Sequence, residues 1–204
     1  MSATLDDFIT REMEMLEEYD AKRPPGHPYA FHKHVRRVAE DMNDLAIAMG
    51  MTPERAHEIK RATLVHDAGK RVLPPNIWDV KGKPTEIVRR QRRNHTLLGV
   101  DLLNEFFGID NHDPKIELVR DLMRHHHEAM DGTGWLGVQA DALSTEARML
   151  CICDAYDGYS PWRPHYGERD ISPRGVLHRM GVEKGSQFDP AIMKVFTKMK
   201  LGQV

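Results

Sequence analysis

Histidine stands out in this 204-residue sequence, because it occurs twelve times and often lies near an acidic residue. Imidazole and carboxylate groups are common nitrogen and oxygen ligands of divalent first-row metals. One histidine or aspartate, or an adjacent pair, recurs about every thirty residues, which suits one helix and one connection per unit. The members of this set are His34, His66, Asp67, His95, His126, His127 and Asp154. Facing helices of a bundle could present all of them to one centre.

The tract of three consecutive histidines, 125 to 127, cannot converge on one small site as a whole. Successive residues of a helix turn by about 100°, so three in a row fan across most of its circumference. Asp131 to Gly134 form a strong helix-breaking stretch, which predicts that the tract lies at a helix end. His126 and His127 can converge there, and we expect His125 to point elsewhere.

The stretch ATLVHDAGK (62–70) predicts an apolar helix that carries His66 and Asp67 into the core. A buried carboxylate is costly unless it is paired or bound to a metal. Five imidazoles and two carboxylates are too many for one ion, so the set suits two divalent first-row metal ions bridged by Asp67. Because no cysteine belongs to the set, a mixed nitrogen and oxygen site favours Fe, Mn, Zn or another first-row metal over a zinc-thiolate site. We expect Fe or Mn, with Zn, Ni or Mg also open.

Helix signals dominate the chain that positions these residues. Capping side chains each precede a proline at the first helical position at Thr52, Asp113, Ser172 and Asp189. An amphipathic pattern from Val35 to Ala46 ends at Gly50, and Thr85 predicts the start of one long helix that reaches Phe106. No alternating strand pattern of useful length occurs, so we predict an all-α fold. The expected loops are 22–28, 71–84, 129–143 and 160–171.

Composition predicts one ordinary domain over 1–204, with an N-terminal accessory helix within 1–24. The chain is 40% hydrophobic and 29% charged, with a net charge of −2, which does not favour nucleic acid or an anionic membrane as a partner. No apolar run has the length of a membrane span, and the acidic N-terminus lacks a signal-peptide core. Cys151 and Cys153 offer no disulfide framework, so we expect a cytoplasmic protein with both thiols packed in the core.

Taken in order, these motifs resemble the HD superfamily of metal-dependent phosphohydrolases and, within it, the HD-GYP domains. The resemblance covers about residues 30 to 196, and its pieces keep the family's order and spacing. The stretches that carry it are HVRRVA (34–39), HDAGK (66–70), the segment 77–103, HHEAMDGTGWLG (126–137), DAYDGYSPWRP (154–164) and GSQFDPAIMKVF (185–196).

The resemblance implies an HD-domain helical bundle around a dinuclear metal site, with the seven residues named above as metal ligands. It implies a metal-bound hydroxide that attacks phosphorus in a nucleotide or cyclic (di)nucleotide. Asp67 and Lys70 would be catalytic residues, and Lys70 and Arg163 would contact substrate phosphates. Asp157 would be a substrate-side acid or would support a ligand. Apart from the resemblance, Trp135 and Trp162 fall in predicted loops beside ligand segments, where an aromatic residue either packs as a lid or stacks a nucleobase.

The sequence departs from the family pattern at four places. Ala30 stands where trinuclear members carry a glutamate, which favours two metals over three. Trp135-Leu136 replaces the Tyr-Pro of the Gly-Tyr-Pro loop, Val80 replaces a lysine, and the basic residues after Arg-Pro are replaced by 165–167. The metal residues are complete while the cyclic-dinucleotide contacts are reduced. Phosphoester hydrolysis is therefore better supported than hydrolysis of cyclic di-GMP in particular.

Other functions stay open at the level of sequence. The HD scaffold also hosts mixed-valent diiron oxygenases, and a nucleotide-binding signalling module without turnover could use the 129–143 loop to bind a partner. A homodimer is also open. The basic run RRQRR (89–93) is interpreted as a solvated helix face, from which one arginine could steer anionic substrates.

Overall fold

The computed structural model describes residues 3–24, 29–80, 82–161 and 168–203, and these are helical with no strand. This confirms the predicted all-α class. The α-helices in the described ranges are α1 (Leu5–Ala21), α2 (Phe31–Ala48), α3 (Pro53–Thr63), α4 (Glu86–Arg93), α5 (His95–Phe107), α6 (Pro114–His125), α7 (Thr145–Tyr159), α8 (Pro173–Glu183) and α9 (Pro190–Lys200). Short 3-10 helices span Ala68–Val72, Pro75–Ile77, Ala140–Ala142 and Gly185–Gln187.

The predicted capping signals begin helices as expected. Thr52 accepts a hydrogen bond from the third residue of α3, and Asp113 accepts one from Lys115 at the start of α6. Ser172 and Asp189 cap α8 and α9 in the same way, each followed by proline. Because these side chains satisfy backbone N–H groups that a helix leaves unpaired, they fix where each helix starts.

The apolar face of α2 forms the centre of the core. Its side chains from Val35 to Ala46 that were predicted to face inward have no exposed surface. The apolar residues of α6 are also buried, with Ile116 only 3% exposed. Cys151 and Cys153 are buried on α7, which confirms that they pack in the core. Burial raises the pKa of the Cys151 thiol to about 12, so it carries no thiolate near neutral pH.

The prediction of one long helix after Thr85 is wrong, because two helices, α4 and α5, meet at Asn94. The His95 side chain bonds the carbonyl of Arg92 at 2.6 Å, and the Thr96 hydroxyl bonds the next carbonyl at 3.2 Å. In a continuous helix these carbonyls would accept backbone N–H groups four residues on. Here the side chains of His95 and Thr96 bond these carbonyls in place of backbone N–H groups, so α4 ends and α5 begins at His95.

The prediction that a helix carries His66 and Asp67 is also wrong. The helix α3 ends at Thr63, and the pair lies in consecutive turns before the 3-10 helix Ala68–Val72. The backbone bonds here join residues three apart, as from the His66 N–H to the Thr63 carbonyl at 3.1 Å. The tighter winding brings two adjacent side chains toward the same centre.

None of the described helices is long and apolar enough to cross a membrane. The predicted loops at 71–84 and 129–143 contain short 3-10 helices, and the loops at 22–28 and 160–171 are described only in part.

Candidate metal centre

The seven predicted ligand residues come together from five parts of the fold. The first turn of α2, the turn after α3, the first residue of α5, the end of α6 and the middle of α7 each contribute. Their nitrogen and oxygen atoms form two groups that could each hold a cation. One group is His95, His126 and His127, and the other is His34, His66, Asp67 and Asp154.

The Asp67 carboxylate lies between the two groups. Its Oδ1 is 3.1 Å from His95 Nε2 and 3.5 Å from His126 Nε2. Its Oδ2 is 3.3 Å from His34 Nε2 and 3.6 Å from His66 Nε2. One carboxylate that offers an oxygen to each group has the arrangement of a bridging ligand.

Asp154, on α7, also reaches both groups. Its Oδ1 lies 3.0 Å from His34 Nε2 and 3.8 Å from His66 Nε2, while its Oδ2 lies 3.8 Å from His127 Nδ1. The centre therefore holds two nearly buried carboxylates within reach of five imidazoles.

Backbone carbonyls fix the tautomers of three imidazoles. The Nδ1 of His66 lies 2.8 Å from the Thr63 carbonyl, and that of His95 lies 2.6 Å from the Arg92 carbonyl. The Nδ1 of His126 is 3.0 Å from a carbonyl four residues earlier. Because a carbonyl only accepts, Nδ1 must carry the proton, and the Nε2 of a neutral ring is left with a free lone pair. The three Nε2 atoms lie within 3.6 Å of an Asp67 oxygen.

His34 is oriented by a carboxylate instead. Its Nδ1 lies 2.7 Å from Asp157 Oδ2, on the opposite edge of the ring from Asp67. Arg37 donates to both oxygens of Asp157 at 2.6 and 2.9 Å, and the Tyr29 hydroxyl contacts both Asp157 and His34 Nδ1. This placement favours a supporting role for Asp157 over substrate contact. A carboxylate behind a metal-binding histidine fixes its orientation and raises its basicity.

The electrostatics of the centre suit cations. Burial lowers the pKa of His66, His95 and His127, that of His95 to about 4, so these rings stay neutral and can bind metal. Burial also opposes charge on His34, but hydrogen bonds to three aspartates raise its pKa to about 10. The carboxylates clustered around this ring therefore favour a positive charge between them.

Two buried polar atoms at the centre test whether the donor set fits a metal. His66 Nε2 and Asp67 Oδ1 have no hydrogen-bond partner within the described ranges. Such atoms are costly in a protein interior unless something else binds them. Unpaired nitrogen and oxygen lone pairs, without a thiolate, fit divalent first-row cations.

Lys70 lies at the edge of the centre with its side chain 11% exposed. Its ammonium donates to Asp67 Oδ2, and this charge holds the pKa of Asp67 well below its usual value even though burial opposes ionisation. The rings of Phe31 and Trp78 lie 4.8 and 5.6 Å from the ammonium nitrogen. Lys70 is therefore a confined cation beside the carboxylate that joins the two groups.

Trp135 covers the imidazoles of the first group. Its ring centroid is 3.8 Å from that of His127, with the planes tilted by 33°, and 5.3 Å from that of His95. The Arg93 guanidinium lies 5.9 Å from the same indole. Since one face of Trp135 already packs on His127, the contact supports a cover over the centre more directly than a platform for a nucleobase.

Glu128 organises the loop that carries Trp135, a role that the sequence analysis did not predict. Its side chain is nearly buried and accepts backbone N–H bonds from Leu136 and Val138, both at 2.7 Å. The motif HHE contained the signal, because a glutamate next to candidate ligands in the core is itself costly unless it is paired. Asp131 shapes the turn, as expected, by accepting two bonds from Thr133.

The neighbouring histidines lie outside both groups. His125 pairs with Asp121 at 2.7 Å, and His32 pairs with Asp20 at 2.8 Å. In the run 89–93 no residue is buried, as a solvated helix face requires. The predicted substrate contact Arg163 lies outside the described residues, as do Trp162 and 165–167.

A pocket of about 450 Å³ opens beside Asp157, on the side of His34 away from Asp67. Its described lining includes the cations Lys33 and Arg37, the Ser160 side chain and Ala30. The pocket therefore combines positive charge with polar groups next to the residues that orient His34.

Comparison with known proteins assigns the fold. The model of the HD domain family matches residues 31–159, which is more than half of the chain. The chain belongs to the HD domain family. This confirms the resemblance, although the matched part begins one residue later and ends earlier than the span 30–196.

Curated relatives of this HD domain are phosphodiesterases. It is 30% identical over 168 residues to "Cyclic di-GMP phosphodiesterase PA4108" of Pseudomonas aeruginosa, and 26% identical over 163 residues to "3'3'-cGAMP-specific phosphodiesterase 2" of Vibrio cholerae. These alignments cover 82% and 79% of this chain. The chain spans only 38% and 30% of the length of the two relatives.

Among solved structures, this HD domain is similar to Bd1817, an HDG"Y"P protein from Bdellovibrio bacteriovorus, with a TM-score of 0.68. The two share 15% sequence identity over 96% of this chain and 60% of the other. At that identity the likeness supports the fold alone.

Proposed function

We propose that this HD domain is a phosphodiesterase that hydrolyses a cyclic dinucleotide or a related nucleotide ester with two divalent cations. The observation that carries the proposal is the position of Asp67, whose two oxygens each face a separate group of imidazoles. The names of the relatives, which act on cyclic di-GMP and on cGAMP, support the substrate class.

The residues of the two groups would hold the cations, with Asp67 and Asp154 each contributing to both. When bound, two such ions supply Lewis-acid charge and a water of lowered pKa for attack on phosphorus. Iron or manganese would be the cations, since imidazole and carboxylate ligands without thiolate suit both.

The chain itself supplies charge and orientation for the reaction. The Lys70 ammonium would offset negative charge on the phosphoryl oxygens as it develops, and its confinement reduces the reorganisation that this requires. Asp157 would hold the His34 ring in its binding orientation. Trp135 would keep solvent from one side of the centre, and Arg163 would contact a substrate phosphate.

The first experiment is metal analysis of protein purified without oxygen, followed by assays with cyclic dinucleotides, cyclic mononucleotides and simple phosphate esters. We expect two metals per chain and hydrolysis of a phosphodiester.

Asp67→Ala should lose metal and activity together, whereas Lys70→Ala should keep the metals and lower kcat about 100-fold or more. A Lys70→Ala protein with wild-type turnover on every substrate would exclude this mechanism. Two metals with oxygen consumption and no hydrolysis would favour the diiron oxygenase.

The pocket beside Asp157 supports a substrate with a second phosphate, which Lys33 would contact. Lys33→Ala should raise KM for a cyclic dinucleotide about tenfold, the cost of one charge-assisted contact, and leave KM for bis(p-nitrophenyl) phosphate unchanged. Arg36→Ala is the matched control, because Arg36 is an exposed cation on the same helix that does not line the pocket. If both substitutions raised KM equally, the cause would be a weaker general electrostatic attraction of the substrate and not the loss of a contact in the pocket.

A further inference from the structure

Arg23 is a buried arginine in the turn after α1, outside the part of the chain that the HD family model matches. Its side chain is 2% exposed. It donates to both oxygens of Asp79 at 2.7 and 2.9 Å, to Asp20 at 2.7 Å and to the Tyr29 carbonyl at 2.8 Å. Through these bonds the buried guanidinium joins the turn after α1 to the segment around Asp79, which is distant in sequence.

The segments that Arg23 joins carry the two aromatic rings beside Lys70. The Arg23 guanidinium lies 4.1 Å from the centroid of the Phe31 ring, and its partner Asp79 directly follows Trp78. The two rings contact each other edge to face at 5.4 Å. Lys70 Nζ lies 4.8 Å from the Phe31 centroid and 5.6 Å from the Trp78 centroid. Arg23 thus contacts one of the two rings that confine the ammonium and binds the residue next to the other.

The helix α1 also binds the segment that carries Lys70 at two further points. Glu12, which is 1% exposed, accepts bonds from Arg71 at 2.7 and 2.9 Å. The Tyr19 hydroxyl donates to the Leu73 carbonyl at 2.7 Å. These contacts hold the chain that directly follows the lysine, and Arg23 adds the contact that reaches its side chain through the aromatic walls.

We infer that Arg23 is a positioning residue for Lys70. By fixing Asp79 and Phe31 it keeps both rings in place, and the rings keep the ammonium beside Asp67. A lysine side chain has large rotamer freedom, so a reaction that needs the ammonium at one point gains from this confinement. The effect on turnover rests on the proposed function, whereas the effect on the position of Lys70 does not.

Amine labelling tests the position of Lys70 without metal or substrate. In Arg23→Ala, the rate at which acetic anhydride labels Lys70, measured by mass spectrometry, should rise severalfold relative to Lys60 in the same molecule. Lys60 is a suitable reference because it is far from Arg23 in sequence and pairs with Glu40, which is not a partner of Arg23. In the metal-loaded enzyme kcat should fall about 10- to 100-fold, the cost of displacing a catalytic group by about 1 Å, with a smaller change in KM.

Arg55→Ala is the control, because Arg55 is 40% exposed and pairs with Glu146 at 2.5 Å, which is not among the contacts that hold the Lys70 segment. It should leave the labelling of Lys70 unchanged. If Arg23→Ala does not fold, Asp79→Asn removes the same ion pair without changing side-chain size and should also raise labelling.

Wild-type labelling of Lys70 in a folded variant, or an equal rise at all lysines, would overturn the inference. Faster labelling in a protein whose wild type hydrolyses no phosphodiester would support the positioning role and reject the proposed function.

Discussion

The role of each imidazole depends on what its two ring nitrogens contact. His34 and His125 show the contrast, since each ring meets an aspartate at 2.7 Å. The Nε2 of His34 points at Asp67 and Asp154, whereas His125 belongs to neither group of candidate ligands. A histidine–aspartate pair is therefore informative only when the other ring nitrogen points to further ligands.

Asp157→Asn should weaken metal binding about 10- to 100-fold while the protein stays folded. The amide keeps the size of the side chain but removes the charge that orients His34 and that pairs with Arg37. Competition with a fluorescent chelator measures the dissociation constant. Asp121→Asn, which changes the equivalent pair at His125, serves as the control. Equal metal affinity in both variants would contradict the supporting role of Asp157.

At the scale of elements, the candidate ligands lie mostly at helix ends. His95 begins α5, His126 follows the last residue of α6, and His66 and Asp67 lie in turns after α3. Ends allow adjacent side chains to converge, which the interior of a helix forbids because of its 100° rotation per residue. Such ends need close backbone packing, and Gly69 provides it.

Gly69→Ala should destabilise the protein by about 1–3 kcal/mol or more. A Cβ at Gly69 would lie 2.0 Å from the His95 carbonyl oxygen and 2.5 Å from the Gly99 nitrogen, and both are backbone atoms that cannot rotate away. Urea unfolding of the metal-free protein measures the change. Gly181→Ala in α8 is the control, because its added Cβ would meet no atom within 4 Å and should be neutral or slightly stabilising. Equal stability of the two variants would show that the contact with α5 relaxes easily.

At the scale of the whole molecule, a nearly neutral chain concentrates negative charge in its interior. The net charge is −2, yet Asp67, Asp154 and Asp157 surround the single His34 ring. Cations that bind the folded state and not the unfolded chain stabilise the fold by mass action. Metal content and stability should therefore change together.

Addition of Mn²⁺ to metal-free protein at about 100 times its Kd should raise the free energy of unfolding by about 3 kcal/mol for each cation bound. For a chain of this size each such increment corresponds to a rise in Tm of about 5–10 °C. Differential scanning fluorimetry measures the rise, and Asp67→Asn should abolish it. An identical Tm in Mn²⁺ and in a chelator would contradict a metal centre at these residues.

The sequence by itself determined where several helices begin and which chemical groups the centre contains. Capping residues at Thr52 and Asp113 and the apolar pattern of α2 act locally, so residue type and spacing are enough to predict them. The regular recurrence of histidine and aspartate predicted which residues the fold would bring together, because one unit of a bundle contributes one ligand or pair. That they bind metal remains a prediction.

Only the tertiary structure decided how those groups face one another. The break at Asn94 and the turns around Asp67 depend on side chains that take backbone carbonyls and on a glycine packed against another helix. Of these contacts, the packing of Gly69 against the start of α5 joins residues that are distant in sequence, and no local pattern encodes their proximity. The same holds for Arg23, which reads as an ordinary cation in the sequence and lies buried between two segments because Asp20 and Asp79 meet there in space.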